Sequence, residues 1–346
     1  IRDAVKSYGV RSLFTGASFA VNEGEHIGVI GPNGAGKTTL FRVLVGQEEL
    51  DSGEIVRSQG LRVGYLAQHD EAGPGALVGE HILEGSQMAE WELQHLALGL
   101  GIKIEQWERP LAELSGGYRM RVKLTRLLGR QPNLLLLDEP TNYLDLETLM
   151  VLERFLLDYP AAFLLISHDR EFLRRTTDHI LEVEGGDIAK FPGSIDDYFE
   201  QKEMLRGQLE ARALSVEAKR KEILDFVARF GAKASKARQA QSRLKSLSRL
   251  EHVEVKAAPV QARIKIPDPS RVPKLTLELK DAESGYGAVP ILRRMNFQIL
   301  GGDRIGVVGL NGAGKTTLLK TLAGEIAVMS GKVERGYGLE LAYFGQ

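Results

Sequence analysis

The chain has 346 residues, 43% hydrophobic and 26% charged, with a net charge of −1. This composition belongs to a globular protein of about two domains and excludes a disordered chain or a uniformly basic nucleic-acid binder. It contains no cysteine, which removes disulfides, thiolate chemistry, Cys-ligated zinc and iron–sulfur clusters, and no apolar run approaches the ~20 residues of a membrane helix. A cytoplasmic protein is expected; the start at Ile1, without Met or a signal peptide, reads as part of something longer.

Residues 1–30 alternate short strands and turns, and His26–Ile30 is a strand feeding a glycine-rich loop. A helix is predicted over Lys37–Val45, closed near Gly46, and residues 53–67 read as two further strands. Between Gln68 and Leu114 the pattern is weak, with helical candidates over 80–92 and 93–98. A helix is predicted over 117–128. Leu134–Asp138 is an apolar run ending in acid, the mark of a strand buried on both faces. Leu146–Asp158 is amphipathic and 163–167 is another buried strand. Strands alternating with helices give an α/β domain with a mainly parallel sheet over residues 1–194.

From Ile195 the pattern changes. Leu209, Val216, Ile223 and Phe230 recur every seven residues, with Ala213 and Val227 four after two of them, which is a helix with one narrow apolar stripe. Gly231 is a turn, and a second helix carries Ala240, Leu244 and Leu247 on one side. Residues 195–256 thus read as a helical hairpin. Pro259, Pro267, Pro269 and Pro273 mark an extended linker, and the second domain, 257–346, has its first strand near Leu275.

The two domains repeat each other. Residues 25–40, EHIGVIGPNGAGKTTL, recur as 303–318, DRIGVVGLNGAGKTTL, at an offset of 278. The same offset joins Tyr8 to Tyr286, Gly46 to Gly324, Ser52-Gly53 to Ser330-Gly331 and Gln68 to Gln346.

Each copy carries G-x4-G-K-[ST], a loop whose glycines let successive N–H groups wrap phosphate oxygens while the following helix presents its positive end. In the first copy this loop is Gly31, Asn33, Gly34, Ala35, Gly36, Lys37, Thr38 and Thr39; in the second it is Gly309, Asn311, Gly312, Ala313, Gly314, Lys315, Thr316 and Thr317. Lys37 is expected to reach the β/γ-phosphates of a nucleotide, and Thr38, like Thr316, to offer a hydroxyl to Mg²⁺. Asp138 and Glu139 end a buried strand. With the loop present, Asp138 reads as a Mg²⁺ holder and Glu139 as the group that polarises an attacking water. Ser115, Gly116 and Gly117 open a helix and form a second anion clamp.

The order of loop, Gln68, LSGG, LLLLDEP and SHD resembles that of ATP-binding-cassette proteins over residues 1 to about 190. The resemblance implies that Tyr8, and Tyr286 in the second copy, stack on adenine. It implies that Gln68, and Gln346 in the second copy, contact Mg²⁺, and that Gln68 also contacts the attacking water. His168 would then contact the γ-phosphate, and Leu144-Asp145 would form the loop linking two sites. Ser115, Gly116 and Gly117 would clamp a nucleotide held by the other cassette. The fold implied is a P-loop cassette, a charged helical hairpin linker and the N-terminal part of a second cassette. Two cassettes around a charged hairpin, without a membrane span, resemble the ABC-F class, translation factors that act on ribosomes. Tyr143 departs from the His usual there, and the 45 residues between Gln68 and Leu114 are fewer than many members carry. The stretch 228–247 resembles the ABC-F interdomain segment, which contacts P-site transfer RNA and ribosomal RNA.

Residues 219–249 hold ten Lys or Arg and two acids; this +8 leaves −9 for the rest of the chain. Lys233, Lys236, Arg238, Arg243 and Lys245 are candidate phosphate contacts. The expected activity is Mg-dependent ATP hydrolysis, with bound ATP closing the two cassettes and so positioning the basic hairpin; hydrolysis is expected to be weak in the chain alone because each composite site lacks a part. Alternatives are the ATP-hydrolysing subunit of a membrane transporter and a DNA-associated ATPase of the same kind.

Overall fold

The structure, a computed structural model, describes residues 1–67, 75–142, 144–230, 245 and 273–345. Gln68, Tyr143, Gln346, Lys233, Lys236, Arg238, Arg243, the second hairpin helix and most of the proline linker lie outside them. The chain divides into two compact units, one made of Ile1–Lys190 with Ile266–Gln346, the other of Phe191–Lys265.

The first unit is built on a six-stranded sheet in the order β5-β6-β7-β3-β8-β9. These strands are β3 (His26–Ile30), β5 (Val63–Leu66), β6 (Leu134–Asp138), β7 (Ala162–Ile166), β8 (His179–Glu184) and β9 (Asp187–Pro192). Neighbours from β5 to β8 run parallel. Every residue of β6 and β7 is buried, so these strands read as continuous apolar runs with no alternation. Helix α1 (Lys37–Val45) buries Leu40 and Phe41 against Ile27, Val29 and Leu136. It ends at Gly46, whose φ of 81° is the left-handed cap that a Cβ disfavours.

A second sheet, order β2-β1-β4, flanks the first. Its hairpin joins β1 (Arg2–Tyr8) to β2 (Arg11–Ala17) and places Tyr8 opposite Arg11; β4 (Ser52–Glu54) pairs on the other side of β1. A helical layer holds α2 (Val78–Leu83), α3 (Glu90–Gly99) and α4 (Gly116–Gly129) around Val78, Ile82, Leu93, Ala97 and Val122. Here the expected helix over 80–92 is broken. Gly85 takes φ 72°, and Ser86 Oγ donates to Gly129 O at 3.1 Å, tying the break to the end of α4. Helices α5 (Leu146–Asp158) and α6 (Arg170–Thr176) follow β6 and β7.

The second repeat forms its antiparallel sheet from β10 (Leu275–Tyr286), β11 (Val289–Leu300) and β12 (Ser330–Arg335), and its loop helix, α8, spans Lys315–Ala323. One element differs. The counterpart of β3, residues 304–308, is not a strand. Ile305 is 57% and Val307 36% exposed, whereas their counterparts Ile27 and Val29 are fully buried. In the first copy β3 is laddered by β7 and β8; among the described residues no strand offers 304–308 that pairing. The pattern alone does not make a strand without partners.

In the second unit, helix α7 (Ile195–Phe230) covers 36 residues. Ala213, Val216, Ile223 and Val227 of the apolar stripe are half-buried while most of the helix around them is exposed, but Leu209, at the head of the stripe, is exposed. Lys245 is exposed.

Candidate nucleotide site

The first phosphate loop connects β3 to α1. Gly31 is required where it stands: a Cβ there would lie 2.1 Å from the backbone oxygen of Val183 on β8. Gly34 and Gly36 take φ 76° and 104°. Lys37 Nζ turns back into its own loop, donating to Gly31 O at 2.8 Å and Pro32 O at 3.1 Å. Burial lowers the affinity of Lys37 for its proton, opposed by Glu139 and Asp138. The second loop repeats this locally. Lys315 Nζ donates to Gly309 O at 2.7 Å and Leu310 O at 2.8 Å, and Gly314 takes φ 97°.

Asp138 is the last residue of β6 and only 2% exposed. Burial raises its pKa, against the Thr38 hydroxyl and the charges of Lys37 and Arg42. Glu139 follows in a left-handed conformation, φ 51°, its N–H donating to Ile166 O at 3.0 Å. Neither acid caps a helix; that position is taken by Asp145 at the start of α5. Burial raises the pKa of Glu139, the His168 charge opposes, and Asp138 adds to the rise. His168 Nε2 lies 3.2 Å from Glu139 Oε1, yet not in hydrogen-bond alignment. Asp138 Oδ2 and both Glu139 oxygens are buried without a hydrogen bond.

These groups line one cavity of about 550 Å³ with Tyr8, Asn33, Gly34, Gly36, Thr38 and Thr39. Four of its residues are not singled out as site residues by the sequence: Arg11, Leu13, Asn142 and Ile166. Arg11 donates to Gly34 O at 2.8 Å, and the N–H of Asn142 donates to Glu139 O at 3.2 Å. The available signals were a base three residues after Tyr8 and an amide three after Glu139. Tyr8 is half-exposed at the rim, its hydroxyl donating to Glu48.

Buried, unpartnered carboxylate oxygens beside a hydroxyl and a lysine suit Mg²⁺ carried in with phosphates. Among the described residues no cluster of three His, Cys, Asp or Glu could hold a metal unaided.

Ser115, Gly116 and Gly117 are not at this cavity. Ser115 caps α4, its Oγ accepting from the N–H of Tyr118 at 3.3 Å. Gly117 packs on Thr148 of α5. Asp145 Oδ1 accepts from the N–H of Thr148 at 2.9 Å, and its Oδ2 accepts from the N–H of Asn311, in the second phosphate loop, at 3.0 Å. The structure therefore joins the loop after Glu139 to the second copy's phosphate loop.

A family model described as ABC transporter matches residues 14–142 and 292–341, and a second ABC transporter model matches 181–266. The chain is 34% identical to the ABC transporter ATP-binding protein YfmM of Bacillus subtilis, over all of this chain and 75% of that protein. It is 33% identical to the ATP-binding protein YheS of Escherichia coli, over 98% of this chain and 58% of that protein. A solved ATP-binding subunit of an ABC transporter shares the fold, with a TM-score of 0.52 and 23% identity over 58% of this chain and 91% of that one. The chain belongs to the ATP-binding-cassette family, and its fold is the mixed α/β P-loop cassette. Cassettes of this family bind ATP with Mg²⁺ and hydrolyse it. Among the described residues no helix is long and apolar enough to cross a membrane.

Proposed function

We propose that the protein is a Mg-dependent ATPase of the ABC-F class, in which ATP draws two cassettes together and thereby positions a basic interdomain segment against ribosomal and transfer RNA. The observation that carries this reading is α7, a 36-residue helix between two cassette copies whose last turns begin a stretch, residues 219–249, of net charge +8. At 1.5 Å per residue it is about 50 Å long.

In this reading Lys37 exchanges its two loop carbonyls for β/γ-phosphates, a stronger bond because both partners are charged. Asp138 and Thr38 would hold Mg²⁺, which would supply charge neutralisation at the phosphates. Glu139, made more basic by burial, accepts the proton of the attacking water, and His168 stands beside it. The bond from Asn311 to Asp145 supports a shared site in which one cassette senses the other's loop. Ser115, Gly116 and Gly117, at the start of α4, would clamp the nucleotide on the second loop.

Changing Lys233, Lys236 and Arg238 together to Gln should weaken co-sedimentation with ribosomes. It should also flatten the salt dependence by about two units of log K per log salt, leaving nucleotide affinity unchanged. Undiminished ribosome binding in that variant would overturn the RNA-facing role.

A further inference from the structure

We infer that Arg11 is a nucleotide contact of the first phosphate loop that the second loop lacks, so that the two loops bind nucleotide unequally; this rests on the nucleotide reading above. Arg11 opens β2 directly opposite Tyr8 in the hairpin and reaches the loop, where it donates to Gly34 O at 2.8 Å. It lines the same cavity as Tyr8, Lys37, Asp138 and Glu139. Among the described residues no carboxylate pairs with it. A guanidinium held only by a neutral carbonyl exchanges that bond favourably for one to phosphate. Opposite Tyr8 in the hairpin and bonded to Gly34 of the loop, it would meet the phosphate nearest the base that Tyr8 stacks on in that reading, the α-phosphate.

At the 278-residue offset the second copy has Val289 at this position, 67% exposed. Around Gly312, the counterpart of Gly34, a Cβ would meet nothing within 4 Å, whereas at Gly34 it would lie 3.2 Å from the Arg11 guanidinium. The tyrosine platform differs in the same direction. Tyr8 donates to Glu48, and Lys6 Nζ stands 5.4 Å over its ring and 3.7 Å from Glu48. The counterparts of Lys6 and Glu48 are Ser284 and Ile326, and Ser284 is turned inward onto Thr321 at 2.6 Å. The first site thus has a clamped platform and an extra cation; the second has neither.

The test isolates one loop at a time. In a Lys315→Ala background, titration with N-methylanthraniloyl ADP and ATP reads the first loop. Arg11→Val should weaken both nucleotides about tenfold and by the same factor, because the contact precedes the β-phosphate. Arg11 is exposed, so the melting temperature should not move. In a Lys37→Ala background, Val289→Arg should tighten the second loop several-fold. Unchanged affinity in Arg11→Val, with the parent binding normally, overturns the inference and leaves the nucleotide reading standing. A loss confined to ATP overturns the α-phosphate placement. No binding by either parent sinks the nucleotide reading, and the inference with it.

Discussion

Lys37 and Lys315 make the same two bonds to their own loops, although one sits at the end of a formed strand and the other does not. The phosphate cradle is therefore set by its own residues, by glycines at positive φ and a lysine that folds back. Glu25, just before β3, shows a residue tied more widely. Burial alone would raise its pKa, but bonds from Asn22 and the Lys190 ammonium on β9 outweigh this and hold it at about 2. A carboxylate with a depressed folded pKa adds stability that is full above its unfolded pKa of about 4.5 and fades as pH falls toward 2. Glu25→Gln should thus lower the melting temperature at pH 7 by about 2–4 °C, the shift expected if the mostly buried pair is worth about 1 kcal/mol. The gap to the parent should narrow at pH 3.5; calorimetry at the two pH values checks it, and a gap that widens in acid contradicts it.

At the scale of elements, the contact of α4 with α5 sets where Asp145 sits. A Cβ on Gly117 would lie 2.6 Å from Thr148 Oγ1, which also accepts from Arg121 at 3.1 Å. Alanine favours a helix over glycine by about 1 kcal/mol, while overpacking a buried contact costs about 1–3 kcal/mol, so packing decides. Gly117→Ala should destabilise by up to about 2 kcal/mol in a denaturant titration and weaken nucleotide at the second loop, with the first loop's affinity kept; a more stable variant contradicts this account. The loop helices, β3, β6 and α5 were legible in the sequence because caps, glycines and burial on both faces write them locally. The break between α2 and α3 was missed although Gly85 signalled it, because the bond that fixes it comes from Gly129, distant in sequence. Residues 304–308 were misleading in the opposite way: they carry the β3 pattern but not its neighbours. Lys37, Asp138 and Glu139 follow from motifs, and Tyr8 and His168 from the family resemblance, but Arg11 needed the hairpin register to bring it to the cavity.

At the scale of the molecule, two near-identical loops sit in unlike surroundings. The first has Asp138, Glu139, His168 and Arg11 at its cavity; the second is reached by Asp145 through the N–H of Asn311. The sequence gathers +8 into residues 219–249, while the remainder carries −9. That separation suits a nucleotide-driven body that presents one basic element to an anionic partner. Glu139→Gln removes the proposed base and keeps the cavity's shape, so the protein should hold ATP without turning it over. The deciding measurement is pelleting of ribosomes with this variant in ATP and in ADP. The account predicts co-sedimentation that requires ATP; a variant that stays in the supernatant in both nucleotides would contradict it.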